Sequence, residues 1–131
     1  MRTWLASAGW IAFGGAIGSV ARWSLSSAVH RWAGSTFPWG TLSVNAIGSL
    51  IIGMLSALFM RDALPAPARA FWIVGVLGGF TTFSAFSIET LELLRNGRIG
   101  AAFLYALGSV LIGVTLAFAG LRLALAGTPA R

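Results

Sequence analysis

The run Gly75-Val76-Leu77-Gly78-Gly79-Phe80-Thr81-Thr82-Phe83-Ser84-Ala85-Phe86-Ser87-Ile88-Glu89 is apolar enough to lie inside a bilayer, yet it makes a poor uninterrupted helix. A Gly-Gly pair and a β-branched Thr-Thr pair both lower helix propensity, and both fall in the middle of the apolar segment. A helix broken near Gly78 to Thr82 is the expectation. Broken backbone at bilayer depth is tolerated only where protein or a cavity satisfies its polar groups. Carbonyls freed by such a break suit a cation such as Na⁺, and the helix that restarts beyond it turns amides and a positive dipole end toward an anion.

The surrounding chain supports a membrane setting. It has 131 residues, 57% of them hydrophobic and 9% charged, and a mean hydropathy of +0.86, whereas a soluble domain is about 25% charged. A membrane helix needs ~20 mainly apolar residues. Four such segments are readable, from about Trp4 to Leu25, Trp39 to Met60, Phe71 to Leu94 and Ile99 to Leu125. The fold expected is therefore an all-α integral membrane protein, one four-span transmembrane domain over residues 1–131, with its third helix broken at mid-membrane. Turn signals separate the spans: His30-Arg31 to Pro38, Arg61-Asp62 to Arg69 with Pro65 and Pro67, and Arg95-Asn96-Gly97-Arg98. Trp4, Trp10, Trp32, Trp39 and Trp72 lie near span ends, where indole rings prefer the headgroup zone. Arg2 and the small residues Ser19-Val20-Ala21 loosely resemble a cleaved leader, but cleavage would discard a Gly-rich helix suited to packing, so four spans are kept.

All nine basic residues are Arg, and Asp62, Glu89 and Glu92 are the acids, giving a net charge of +6. In a chain this apolar, that charge points to membrane surfaces and anions before nucleic acid. Cys is absent, which excludes disulfides and thiolate chemistry. One His and no Lys leave most enzymatic constellations without their parts. Arg2, Arg61, Arg69, Arg122 and Arg131 fall on one side of the membrane, and Arg22, Arg31, Arg95 and Arg98 on the other. Orientation follows an excess of basic residues in cytoplasmic loops, and this count has almost none. Insertion both ways up, and an antiparallel two-fold dimer, are the expectation.

In span 2, Thr41, Asn45, Ser49, Gly53 and Ser56 recur on one helical face. Small residues there let helices approach. Asn45 brings two donors and an acceptor into hydrocarbon, so it needs a partner helix, a water or a ligand. Gly14 and Gly18 form a GxxxG pair for helix contact. Arg22 beyond them either snorkels as an anchor or lines a vestibule and concentrates anions. Phe80, Phe83 and Phe86 recur at intervals of three, with Thr81, Ser84 and Ser87 on a neighbouring face. Such a stripe is commonly packing, but electropositive ring edges beside hydroxyl donors also offer a small anion weak binding, and weak binding permits release. Glu89 and Glu92 lie near the span's end, and Glu92 reads as a solvated charge. In span 4, Tyr105, Ser109 and Gly113 share a stripe that turns two hydroxyls inward.

These residues resemble the Fluc (CrcB) family of bacterial fluoride channels. The resemblance rests on Gly14-Gly15-Ala16-Ile17-Gly18 to Arg22-Trp23, on Gly40-Thr41-Leu42 leading to Val44-Asn45 and Gly48, and above all on Gly78-Gly79-Phe80-Thr81-Thr82-Phe83-Ser84-Ala85-Phe86-Ser87 to Glu89. It covers essentially the whole chain. It implies a dual-topology antiparallel homodimer in the bacterial cytoplasmic membrane, with two pores at the subunit interface that export fluoride passively and relieve its toxicity. By the same resemblance, Asn45 donates its amide near the fluoride path and Phe83 and Phe86 supply ring edges. Tyr105 and Ser109 match the span 4 hydroxyl positions. Thr41, Ser84, Ser87 and Glu89 lie on or near a polar track, with Glu89 toward its end, and Arg22 sits at an aqueous vestibule. Gly78 and Thr81 give backbone carbonyls to a structural Na⁺ on the dimer axis, two from each subunit.

Two departures stand out. Ala85 occupies a position where many members carry Thr, and Gly113 one where a further hydroxyl is expected. The chemistry suits the ion independently of the resemblance: fluoride is small, strongly hydrated and accepts hydrogen bonds, so a pore must replace water with donors that do not hold it too firmly. A small dual-topology cation or drug antiporter would share the four spans, but it calls for an acid deep in a substrate cavity, and span 1 has none. A structural subunit whose Gly stripes merely pack helices would conduct nothing.

Overall fold

The computed structural model describes residues 2–61 and 64–127. Asp62 and Arg131, two charges of the tally above, lie outside the described residues, as does the side chain of Arg2. Helix 1 covers Arg2–Ala33, helix 2 Trp39–Met60 and helix 4 Ile99–Ala126, while the third span runs over Ala66–Arg95 in two halves. All four are long and apolar enough to cross a bilayer.

Helix 2 matches its expected bounds, and the third and fourth spans differ by a few residues. Helix 1 does not match: it continues past Leu25 to Ala33, through His30 and Arg31, where the sequence signals a turn. The polar residues between Arg22 and Arg31 include no helix breaker, and polarity alone does not end a helix. The true stop is Gly34, at φ +80°, whose amide donates to the His30 carbonyl at 3.0 Å. That left-handed backbone costs glycine nothing. Arg22 is thus well inside the helix rather than at its end.

The third span begins as a short α-turn at Ala66–Arg69 behind Pro65, winds as a π-helix over Ala70–Leu77 and returns to α geometry at Gly78–Phe80. It then breaks. Thr81 (φ −78°, ψ 156°) and Thr82 (φ −151°, ψ 122°) are extended, and an α-helix restarts at Phe83–Arg95. The break falls within the expected interval. The wider π winding before it has no sequence signature that we could read.

Packing follows the small residues. Helix 1 lies along residues 70–80, and helix 2 along helix 4. A methyl group added at Gly14 would stand 2.6 Å from the Phe71 carbonyl oxygen, and one at Gly75 2.9 Å from that of Ile11. Gly18 meets the Val76 carbonyl, Gly53 the Ala117 backbone and Gly120 the Leu50 carbonyl still more closely. In lipid no hydrophobic force drives helices together, so close backbone contact supplies van der Waals attraction instead. Large apolar side chains such as Val20, Phe103, Leu111 and Phe118 remain exposed, as bilayer-facing groups should. A small buried cluster of Leu93, Ala102 and Tyr105, with Phe37, Leu42 and Phe86 against it, forms where helix 2 starts, the third span ends and helix 4 starts.

Candidate functional site

The break is held by a single side chain from helix 2. Asn45 Nδ2 donates to the Thr82 carbonyl at 3.0 Å, and the Thr82 amide donates to Asn45 Oδ1 at 2.9 Å. The carboxamide therefore replaces, in one group, the backbone partners that an unbroken helix would have provided. On the N-terminal side the Thr81 amide and its Oγ1 both donate to the Leu77 carbonyl, at 2.9 and 2.8 Å. On the C-terminal side Thr82 Oγ1 accepts from the Ala85 amide at 3.1 Å, the usual N-cap bond of a restarting helix. Among the described residues, no backbone amide outside the helices donates to the carbonyls of Gly78 or Thr81. Both residues line an opening of about 350 Å³ together with Asn45, Gly48, Thr82 and Phe83. Oxygen donors with spare lone pairs on broken backbone are a donor set that a hard cation such as Na⁺ fits.

A second cluster lies further along the same helices. Thr41 is one turn from Asn45, and its Oγ1 donates to Glu89 Oε1 at 2.6 Å. Tyr105, only 1% exposed, donates its hydroxyl to Glu89 Oε2 at 2.7 Å. Three helices thus meet at one carboxylate, each of whose oxygens has a hydroxyl donor. Both bonds are short, and two hydroxyl partners make an acid tolerable here.

Aromatic rings connect the two clusters. Phe86 packs on Tyr105 with ring centroids 5.2 Å apart, and Phe83 on Phe86 at 5.3 Å, both pairs tilted. Phe37 meets Tyr105 edge-on at 5.5 Å. Phe83 is 78% exposed and opens outward beside the break. Phe80, which continues the stripe in sequence, is buried on the other side of the break against Gly18 and Gly48. The interval of three therefore does not describe one face.

The remaining candidates are placed less closely. Ser109 lies one turn beyond Tyr105, and its Oγ is buried with no hydrogen-bond partner among the described residues. Ser84 Oγ lies 3.2 Å from Thr82 Oγ1, and Ser87 donates to the Phe83 carbonyl at 2.9 Å. Arg22 is half-buried and has no ion pair or hydrogen bond among the described residues. Gly113 approaches the Ser49 hydroxyl: a methyl there would lie 3.3 Å from Ser49 Oγ. Sequence reasoning missed Thr82 and Phe37. A threonine just before a restarting helix is an N-cap signature that could have flagged Thr82, whereas nothing local marks Phe37.

In its sequence the chain also matches a known family. The family model described as CrcB-like protein, Camphor Resistance (CrcB), matches residues 9–121. The chain belongs to the CrcB family. Relatives of this CrcB chain include proteins named fluoride-specific ion channel FluC. That of Thermus thermophilus is 53% identical over 86% of this chain and 90% of its own. The protein of Magnetococcus marinus is 53% identical over 86% and 92%, and that of Agrobacterium fabrum 46% identical over 86% and 91%. With four helices of membrane-crossing length and composition, this CrcB chain is a multi-pass membrane protein.

Proposed function

We propose that this chain is a fluoride-selective passive channel of the bacterial cytoplasmic membrane, which lets fluoride leave the cell and so limits its toxicity. The observation that carries the reading is the series of weak donors linking the break to the Glu89 carboxylate: the Asn45 amide, the Phe83 and Phe86 rings, and the Tyr105 and Thr41 hydroxyls. Such groups can stand in for water around a small halide without the grip of a buried cation. The names of the relatives support the same ion.

The working unit of this proposal is an antiparallel homodimer assembled from oppositely inserted copies, with two pores along its interface. Phe83, so exposed in one chain, supports it: an aromatic ring at this depth beside a polar opening gains from a second copy that covers it. The Gly78 and Thr81 carbonyls of both copies would hold a Na⁺ on the axis, where the ion supplies positive charge to keep the broken backbones together. Arg22, half-buried, serves in this reading to draw anions into a vestibule. Ser109 adds to the track a hydroxyl with no partner among the described residues, with Ser84 and Ser87 beside the rings. The protein acts as a conduit, not an enzyme.

Reconstitution in liposomes with a fluoride electrode tests the proposal, with fluoride expected to leave far faster than chloride. Equal rates for the two halides would end the selectivity claim. C-terminal tags are expected to be detected on both membrane faces, and strict one-sided labelling would end the dual insertion.

A further inference from the structure

A polar cavity of about 200 Å³ opens at the end of the bundle where helix 1 stops and helix 4 starts. Its inner wall includes Ser26, Thr41 and Glu89, and its outer wall His30, Glu92 and Arg98. Thr41 and Glu89 belong to the hydroxyl–carboxylate cluster, so the cavity joins that buried cluster to an exposed rim. Arg98 donates to the Thr36 carbonyl, which ties the 34–38 loop over the cavity and fixes the Arg98 charge at its edge. Glu89 and Glu92 are three residues apart on one helix face, so the second acid stands one turn outward of the first.

We infer that this cavity is the aqueous mouth of the ion path on that side, and that Glu92 at its rim limits the supply of anions to it. The inference rests on the fluoride reading above. The rim carries the cationic Arg98 as well as Glu92, and the carboxylate offsets the attraction that the guanidinium would otherwise exert on an incoming halide. Among the described residues the Glu92 side chain accepts no hydrogen bond, and it is exposed, so its charge can be changed without disturbing the bundle. Removing one unit charge at a solvated rim changes the local anion concentration by about two- to threefold at low ionic strength, and by almost nothing at ~1 M salt, where the screening length is ~3 Å.

The test compares fluoride efflux from liposomes for the wild-type chain, Glu92→Gln and Glu92→Arg, in ~10 mM and ~1 M of an impermeant salt. Efflux is expected to rise in the order wild type, Gln, Arg at low salt, and to converge at high salt. Wild-type efflux with no difference among the three at low salt would overturn the role of Glu92 while leaving the channel reading intact. No fluoride efflux from the wild type would overturn the channel reading, and this inference with it. The absence of native cysteine makes a second measurement clean. In Ser26→Cys, an anionic thiosulfonate reagent added from the water is expected to label the thiol and slow efflux several-fold. Labelling without any loss of efflux would show that the cavity is not on the path.

Discussion

Replacing Asn45 by Ala tests the central joint of the fold. The substitution removes both bonds to Thr82 and leaves an amide and a carbonyl without partners in the middle of a span. Each orphaned polar group costs about 1–3 kcal/mol, so a dry site would lose ~2–6 kcal/mol. Two facts pull the figure down: the neighbouring opening of about 350 Å³ admits water, and hydrogen bonds between membrane helices average only ~0.6 kcal/mol. A loss of ~2 kcal/mol follows, which corresponds to roughly thirtyfold easier opening of the break. Hydrogen exchange at the Thr82 amide in detergent-solubilised protein reads this directly and should accelerate by about that factor. Asn45→Asp keeps an oxygen for the Thr82 amide but sets a second oxygen against its carbonyl. There the amide should stay protected while thermal stability falls. Unchanged exchange at Thr82 in Asn45→Ala would refute the reasoning, because it would mean that the backbone at the break finds other partners.

Phe83→Ile or Phe86→Ile should cripple fluoride efflux while the oligomer persists on size-exclusion chromatography, since the ring edges are lost but apolar bulk is retained; full efflux in both would reduce the rings to packing. Tyr105→Phe and Thr41→Val each strip one donor from Glu89 and should lower stability by about 0.5–1.5 kcal/mol, with a detergent melting curve as the measure. Gly53→Ala drives a methyl into the Ala117 backbone and should destabilise by ~1–3 kcal/mol, whereas Gly9→Ala, with nothing within 4 Å, should gain up to about 1 kcal/mol of helix propensity. Similar melting temperatures for the two glycine variants would contradict the packing described.

Much of this was legible in the sequence, because a bilayer imposes long apolar runs that hydropathy exposes directly. The break was legible too, since Gly78-Gly79 and Thr81-Thr82 weaken a helix locally. What holds the break was not: Asn45 lies 37 residues from Thr82, and a lone polar residue in a span announces a need for partners without naming them. The meeting of Thr41 with Glu89 across 48 residues is likewise hidden in the sequence, as is the Tyr105 hydroxyl on the same carboxylate. The expected first span stops at Leu25 because the polar second half of helix 1 looks like the edge of a membrane, although only Gly34 and Pro38 carry the means to end the helix. The stripe of phenylalanines misled for the opposite reason, as a regular interval in sequence spans a break in space.

The 32 residues of helix 1 extend about 48 Å at 1.5 Å each, against ~30 Å of hydrocarbon in a typical bilayer. No ordinary tilt, which averages about 20°, hides such a length. The rod must project, and its last turns carry His30, Arg31 and the following loop out among the phospholipid heads. Lipids with shorter or longer acyl chains would therefore leave more or less of this rod standing clear of the hydrocarbon.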